Sequence, residues 1–584
     1  MPSDGNPPDS RAGGDSLLVP ALILVGAASL ACTLLTAPLA GLLSGRGRPR
    51  WVNDDPATTA VLTIVRGPGA AYSPAPPAWL FWTLTVMLFA GVGWATVRVL
   101  SKRGKKPTGL AGRRELAGML PKGAAERARQ LRPALAGVER LDPDDTGNLL
   151  GNLEPNGPEL RSSFEDVELD LMAPRAGKST AISVPRVLRA RGSVLLTSNK
   201  ADVYSVTKAE RAGVGTVWTF DPQGIAHTPR EMWWDMLADA TTIEGARRLA
   251  GHFVGAVNDD ASKRDFWISA AQNTLTALFH AANRGKRPVT DVLAWLADPG
   301  DRTPVDLLRD AGMAALSEQL QGTIRGAVET RDGIYETARQ SVACLLDPEI
   351  AAWVTPDPRL PQFRPELHAL SQDTLYLLSK DGGGSAAGVI AAAADSVLRA
   401  GVQAAERMGG RLDPPMTAVL DEAANVCRIS DLPDLYSHFG SRGINIVTLL
   451  QSYRQGSRVW GEAGMDALWG AATVKLLGAG LDDADFIEKI SRLVGEHDVT
   501  TVSYSESGAT RSRSTSTRLQ RVMPADRIRA LPKGTALLLA TGVKPALIRL
   551  RPWYKEPGAD RIQAAAQAEM KAITARAAGG MLQK

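Results

Sequence analysis

The chain has 584 residues, too long for one hydrophobic core, and its 67 Lys and Arg against 62 Asp and Glu leave a formal charge of only +5. That balance does not by itself mark a nucleic-acid binder, so any such contact must come from local clusters. Three widely spaced cysteines, Cys32, Cys344 and Cys427, exclude a disulfide framework and a zinc site and fit a reducing cytosol for the soluble part.

The first predicted element is a membrane span. No charged residue occurs from Ser16 to Gly45, and the apolar run 17–43 exceeds the roughly 20 residues that a spanning helix needs. A second uncharged stretch, 78–97, opens with Trp79, Phe81 and Trp82, aromatics suited to a membrane interface. Basic residues from Arg98 to Arg114 crowd the exit of this second span, which places that side in the cytoplasm. Residues 1–114 therefore read as a two-span anchor in a bacterial inner or plasma membrane, with a cytoplasmic body. Residues 115–158 are polar and helix-prone and read as a stalk or linker.

A strand-like run, Val167–Met172, leads into Ala173-Pro174-Arg175-Ala176-Gly177-Lys178-Ser179-Thr180 and an apolar helical segment. Strand, loop and helix in this order are the context of a phosphate-binding loop. Its backbone N–H groups receive a triphosphate, Lys178 reaches the β/γ oxygens, and Ser179 holds Mg²⁺. Met172 stands where the pattern's first glycine would be.

The stretch 243–346 is rich in helix formers at helical spacing and is expected to form an all-α insertion. His252 and His280 fall on its apolar faces, where core histidines are commoner than metal ligands. Further on, the apolar strand from Met416 ends in Asp421 and Glu422. Strand alternation turns these to different sides, so Asp421 can complete the Mg²⁺ shell while Glu422 polarises the attacking water. The strand starting at Ile444 ends in Gln451, an amide placed to sense the γ-phosphate, because ligands of an open parallel sheet sit at the carboxyl ends of its strands. Ser503–Arg518, rich in Ser, Thr and Arg, reads as a flexible loop, and residues 556–584 as a short helical tail.

Together the loop at Ala173–Ser179, the run ending at Lys200, Arg211, Phe220–Pro222, LDEAAN at Leu420–Asn425, Ser441-Arg442 and the run ending at Gln455 resemble the TraG/TraD/VirD-type coupling proteins of conjugative type IV secretion. The resemblance spans about residues 160–555. It implies a RecA-like α/β motor domain (159–242 and 347–555) interrupted by the all-α domain 243–346, and a ring of six subunits. It further implies ATP and Mg²⁺ as cofactors and delivery of relaxase-bound, single-stranded DNA to a secretion channel. It carries Glu422, Arg442 and Gln451 over as catalytic groups, Arg442 reaching into a neighbour's site. Lys200, Arg211, Arg511 and Arg513, with Arg518 and Arg521, are candidate DNA contacts, since phosphates need cations irrespective of sequence. Three other readings remain open at this point: a double-strand translocase of the FtsK/SpoIIIE type, a secretion ATPase for protein cargo alone, and a silent membrane scaffold.

Overall fold

The computed structural model describes residues 35–53, 55–101, 109–257, 266–381, 386–507 and 510–583. The chain forms two compact units, divided between Lys105 and Lys106.

In the first unit, Ala37, Ala40, Ala71, Tyr72 and Phe81 form a small buried core. Most of the expected first span lies outside the described residues; of it, residues 35–43 are helical. The expected second span is a helix, Ala78–Ser101, but among the described residues no helix is long and apolar enough to cross a membrane. Trp79, Trp82, Thr83, Thr85, Gly91, Gly93 and Trp94 dilute its aliphatic content, and Thr85 is tied by hydrogen bonds to Thr36 and to the carbonyl of Phe81. The two-span expectation is corrected to that extent.

The second unit is built on a mixed sheet, eleven-stranded among the described residues. In chain order its first strands are β1 (Asn148–Leu153), β2 (Glu159–Ser162), β3 (Glu168–Leu171), β4 (Val194–Ser198), β5 (Val217–Phe220) and β6 (Thr374–Leu378). Next come β7 (Met416–Leu420), β8 (Ile444–Leu450) and β9 (Val474–Leu477). The ribbon strands β10 (Glu496–Ser507) and β11 (Thr510–Arg521) stand apart, and β12 (Thr535–Ala540) and β13 (Ala546–Arg549) complete the sheet. Across the sheet the order is β2-β1-β13-β12-β9-β3-β8-β7-β4-β6-β5. From β9 to β5 every neighbouring pair is parallel, while β12, β13, β1 and β2 run antiparallel at the other side.

Strands β3, β4, β6, β7 and β8 are buried at every position because both faces of the sheet are covered, and they are mostly apolar, although β3 carries Glu168 and Asp170 and β8 carries Asn445. Strand alternation divides their side chains between two cores. Ala418 and Leu420 of β7, Leu195 of β4 and Leu375 and Leu377 of β6 join helices Ile243–Val257, Phe266–Arg284 and Ala387–Arg407. Val419, Leu196, Tyr376 and Leu378 join Val184, Val187 and Tyr204, together with Ile562 and Ile573 of the C-terminal helix Ala559–Gln583. Each fully buried aliphatic side chain contributes roughly 1.5–3 kcal/mol to holding these layers.

Between Ile243 and Leu346 the described chain is helical. His252 Nε2 lies 3.2 Å from Asp395 and His280 Nδ1 donates to the carbonyl of Ala240 at 2.8 Å, so both histidines serve the core.

Two expectations change. The sheet begins at Asn148, inside the stretch read as a stalk, and β1 pairs with β13 through Leu153 and Ile548. The Ser/Thr/Arg-rich loop is instead the antiparallel ribbon β10–β11, in register from Glu496↔Arg521 to Ser507↔Thr510. β10 contains Val499, Thr500, Thr501, Val502 and Tyr504, residue types that favour an extended backbone.

Candidate nucleotide-binding site

The loop after β3 has two left-handed residues, Arg175 (φ 63°) and Gly177 (φ 101°). Glycine meets this requirement without strain, and such turns form concavities that receive anions on backbone N–H groups. The helix begins at once: Ala181 N–H donates to the carbonyl of Gly177 at 2.9 Å, and Thr180 Oγ1 to the same oxygen at 3.2 Å. Met172 is fully buried at the end of β3. A Cβ on Gly478 would lie 2.4 Å from Met172 Cγ, and one on Gly480 would lie 2.6 Å from Ala173 Cβ. The bulk gained where a glycine is usual is thus matched by glycines after β9.

Lys178, Glu422 and Gln451 converge beyond the carboxyl ends of β3, β7 and β8. Lys178 Nζ donates to Glu422 Oε1 at 3.1 Å, and Gln451 Nε2 to Glu422 Oε2 at 2.7 Å. Glu422 adopts the left-handed conformation (φ 54°, ψ 41°), which a non-glycine residue holds at a cost of order 1–3 kcal/mol and keeps where the surroundings over-determine it. Asp421 points elsewhere: Ser183 Oγ donates to its Oδ2 at 3.3 Å, and its backbone carbonyl accepts from Thr197 Oγ1 at 3.2 Å. Burial pushes the Asp421 carboxyl up to about 7; nearby Lys178 acts against that shift, whereas Glu422 and Asp202 add to it. A divalent cation beside it would favour the ionised form.

Ser179 opens the helical turn Ser179–Ser183, which puts Ser183 one turn further on and against Asp421. Sequence reading missed Ser183; its signal was the spacing of four from Ser179. Also missed were Asn425 and Gln455, which bond to each other at 2.8 Å beside Glu422 and Gln451.

The remaining candidates are elsewhere. Arg442 ends the helix Leu432–Ser441 and pairs with Glu406 at 3.3 Å. It precedes β8, whose far end carries Gln451, so about 23 Å of strand separates it from this chain's own site. Lys200 is exposed just beyond β4. Arg211 is not available to DNA: it is 1% exposed. Its guanidinium donates to Thr374 Oγ1 (2.7 Å) and to the carbonyls of Ala190 (2.9 Å), Gly192 (3.2 Å) and Gln372 (2.8 Å). Arg211 therefore fastens the helix Asp202–Ala212 to the ends of β4 and β6, and the DNA assignment is corrected. Arg511 and Arg513 lie on β11 opposite Glu506 and Tyr504.

Residues 415–533, which carry Asp421, Glu422 and Gln451, match the family described as the TraM recognition site of TraD and TraG. The resemblance to coupling proteins read in the sequence holds. The fold is similar to that of the bacterial conjugative coupling protein TrwBΔN70 in its unbound form, at 19% identity and a TM-score of 0.53, over 73% of this chain and 91% of that one. Similar figures hold for the plasmid coupling protein TrwB with the GTP analogue GDPNP (18%, TM-score 0.52, 73% and 92%). For TrwB with ADP and Mg²⁺ they are 18%, 0.51, 73% and 91%. No curated protein matches the chain.

Proposed function

We propose that this chain is a membrane-anchored, ATP-driven DNA translocase that couples a relaxase-bound DNA strand to a conjugative type IV secretion channel. The observation that carries the reading is the meeting of Lys178, Glu422 and Gln451 at the carboxyl ends of three adjacent parallel strands, within and next to the segment that matches the TraM recognition family.

ATP and Mg²⁺ are the cofactors, and the residues present fit them. The concave loop through Arg175 and Gly177 receives the phosphates, Lys178 neutralises β/γ charge, and Ser179 and Asp421 supply oxygen ligands to the ion. The nucleotide with its metal supplies the scissile phosphoanhydride and charge neutralisation. Glu422 accepts the proton of the attacking water, and Gln451 orients it. With Lys178 and Gln451 both on Glu422, the carboxylate is occupied in this structure, so Lys178 must move to a phosphate before Glu422 can act. Subunits act as a ring, the arrangement in which Arg442, remote from its own Lys178, has a neighbour's site to serve. Membrane attachment rests on the uncharged run from Ser16 to Gly45.

ATP turnover of the full chain in detergent, with single-stranded, double-stranded or no DNA, tests the reading. Turnover stimulated by single strands and abolished in Lys178→Ala is expected. Undiminished turnover in Lys178→Ala would overturn the site, and stimulation by duplex alone would favour a double-strand translocase.

A further inference from the structure

Beyond the groups that face nucleotide, two amides close a circuit around the site. Gln451 Nε2 donates to Glu422 Oε2 at 2.7 Å. Asn425 Nδ2 lies 3.4 Å from the same oxygen. Asn425 Oδ1 accepts from Gln455 Nε2 at 2.8 Å, and Gln455 Oε1 accepts from the backbone N–H of Gln451 at 2.9 Å. The four residues thus form a closed ring of hydrogen bonds joining the end of β7, the short helix Ala423–Val426, the end of β8 and the first turn of helix Tyr453–Ala471.

We infer that Asn425 and Gln455 are positioning residues for ATP hydrolysis, holding Glu422 and Gln451 in a fixed relation while Lys178 changes partner. The inference rests on the ATP-hydrolysing reading of the site. Two features single these residues out. Glu422 sits in a left-handed conformation that its own strand does not supply, so its carboxylate needs outside constraint. Gln455 fixes both ends of Gln451: it holds the backbone N–H directly, and through Asn425 it reaches the carboxylate that the Gln451 side chain grips. When Lys178 leaves for a phosphate, Oε1 of Glu422 is freed for water, while Oε2 stays held by Gln451 and Asn425. The ring therefore aims the carboxylate.

A simpler role exists for Gln455. Ser452 caps the helix by accepting from Gln455 N–H at 3.2 Å, and the Gln455 side chain reaches back past the cap, so the residue also resembles the last member of a capping box. The two roles separate in Gln455→Glu. A carboxylate still accepts from Gln451 N–H, preserving the cap, but it cannot donate to Asn425 Oδ1. If Asn425 flips to meet it, the amide oxygen is turned against Glu422.

The experiment measures steady-state ATP turnover, affinity for a fluorescent ATP analogue and thermal midpoint in the full chain carrying Gln455→Ala, Gln455→Glu, Asn425→Ala, or Asn425→Ala with Gln455→Ala. Expected is a fall in kcat of about 10–100-fold in each single variant, the range for groups that orient a catalytic residue through a hydrogen bond, with analogue affinity within about twofold, well inside 1.4 kcal/mol per tenfold. The double variant falls no further than the worse single one, because residues acting as a unit are not additive. Gln455→Glu keeps the parental thermal midpoint. Parental kcat in Gln455→Glu, or losses that multiply in the double variant, would overturn the positioning role. An inactive parent, or Lys178→Ala at parental turnover, would instead fell the reading of the site and the inference with it.

Discussion

The parallel sheet and the ribbon β10–β11 both carry cations, and they use them in opposite ways. Near the sheet, Lys178 and Arg211 are 7% and 1% exposed, and hydrogen bonds hold each in place. On the ribbon, the backbone is paired strand to strand, and Arg518 and Leu519 are exposed. Burial, rather than charge, decides which cations are committed to the fold and which are free to meet a polyanion. A guanidinium that is buried and has four of its five N–H donors bound to the protein is closed off from phosphate.

The comparison breaks first at Arg211. In Arg211→Met, three backbone carbonyls and a hydroxyl lose their donor inside the protein, at a cost of about 3 kcal/mol or more. The thermal midpoint should fall by about 3 °C or more in a unit of this size, as read by differential scanning calorimetry; an unchanged midpoint with lost DNA binding would return Arg211 to the ligand side. Arg442 stands between the extremes, partly exposed and paired only at 3.3 Å to Glu406. Arg442→Ala is expected to keep nucleotide binding, lose most DNA-stimulated turnover, and regain part of it when mixed with Lys178→Ala subunits, since an intact pair of residues then meets across a mixed interface. Parental turnover by Arg442→Ala alone would remove the role in trans. The smallest effect is expected from the ribbon. Replacing residues 500–517 by Asn-Gly, a two-residue turn suited to antiparallel strands, should leave the thermal midpoint within about 1–2 °C, the scale of surface changes. It should weaken DNA binding and flatten its salt dependence. A large fall in midpoint would show that the ribbon belongs to the core.

The sequence was most legible where one segment carried its own signal. The runs at Met416 and Ile444 are mostly apolar and end in functional side chains, so strand, orientation and site could be read together. Arg211 was legible in principle: it lies four residues after Thr207 and seven after Tyr204, both buried, which puts it on the inner face of its helix. Its charge was the more visible feature. β1 was hidden because a short run containing Gly151 has little strand signal, and its partner β13 follows hundreds of residues later. The ribbon's polar composition masked an extended backbone. Met172 fits its loop because Gly478 lies opposite it, a match made across the sheet and not within one segment.

The pairing of β1 with β13 also bears on how the protein is made. Glu154 and Arg549, whose side chains meet at 2.6 Å beside that seam, are 395 residues apart in sequence. At synthesis rates of roughly 5–20 residues per second, β1 and β2 leave the ribosome about 20–80 s before the strand that covers them exists. Until then they expose an open hydrogen-bonding edge, the kind of surface that recruits other chains. The sheet therefore closes last at the place where it began, and its most aggregation-prone interval is set by translation.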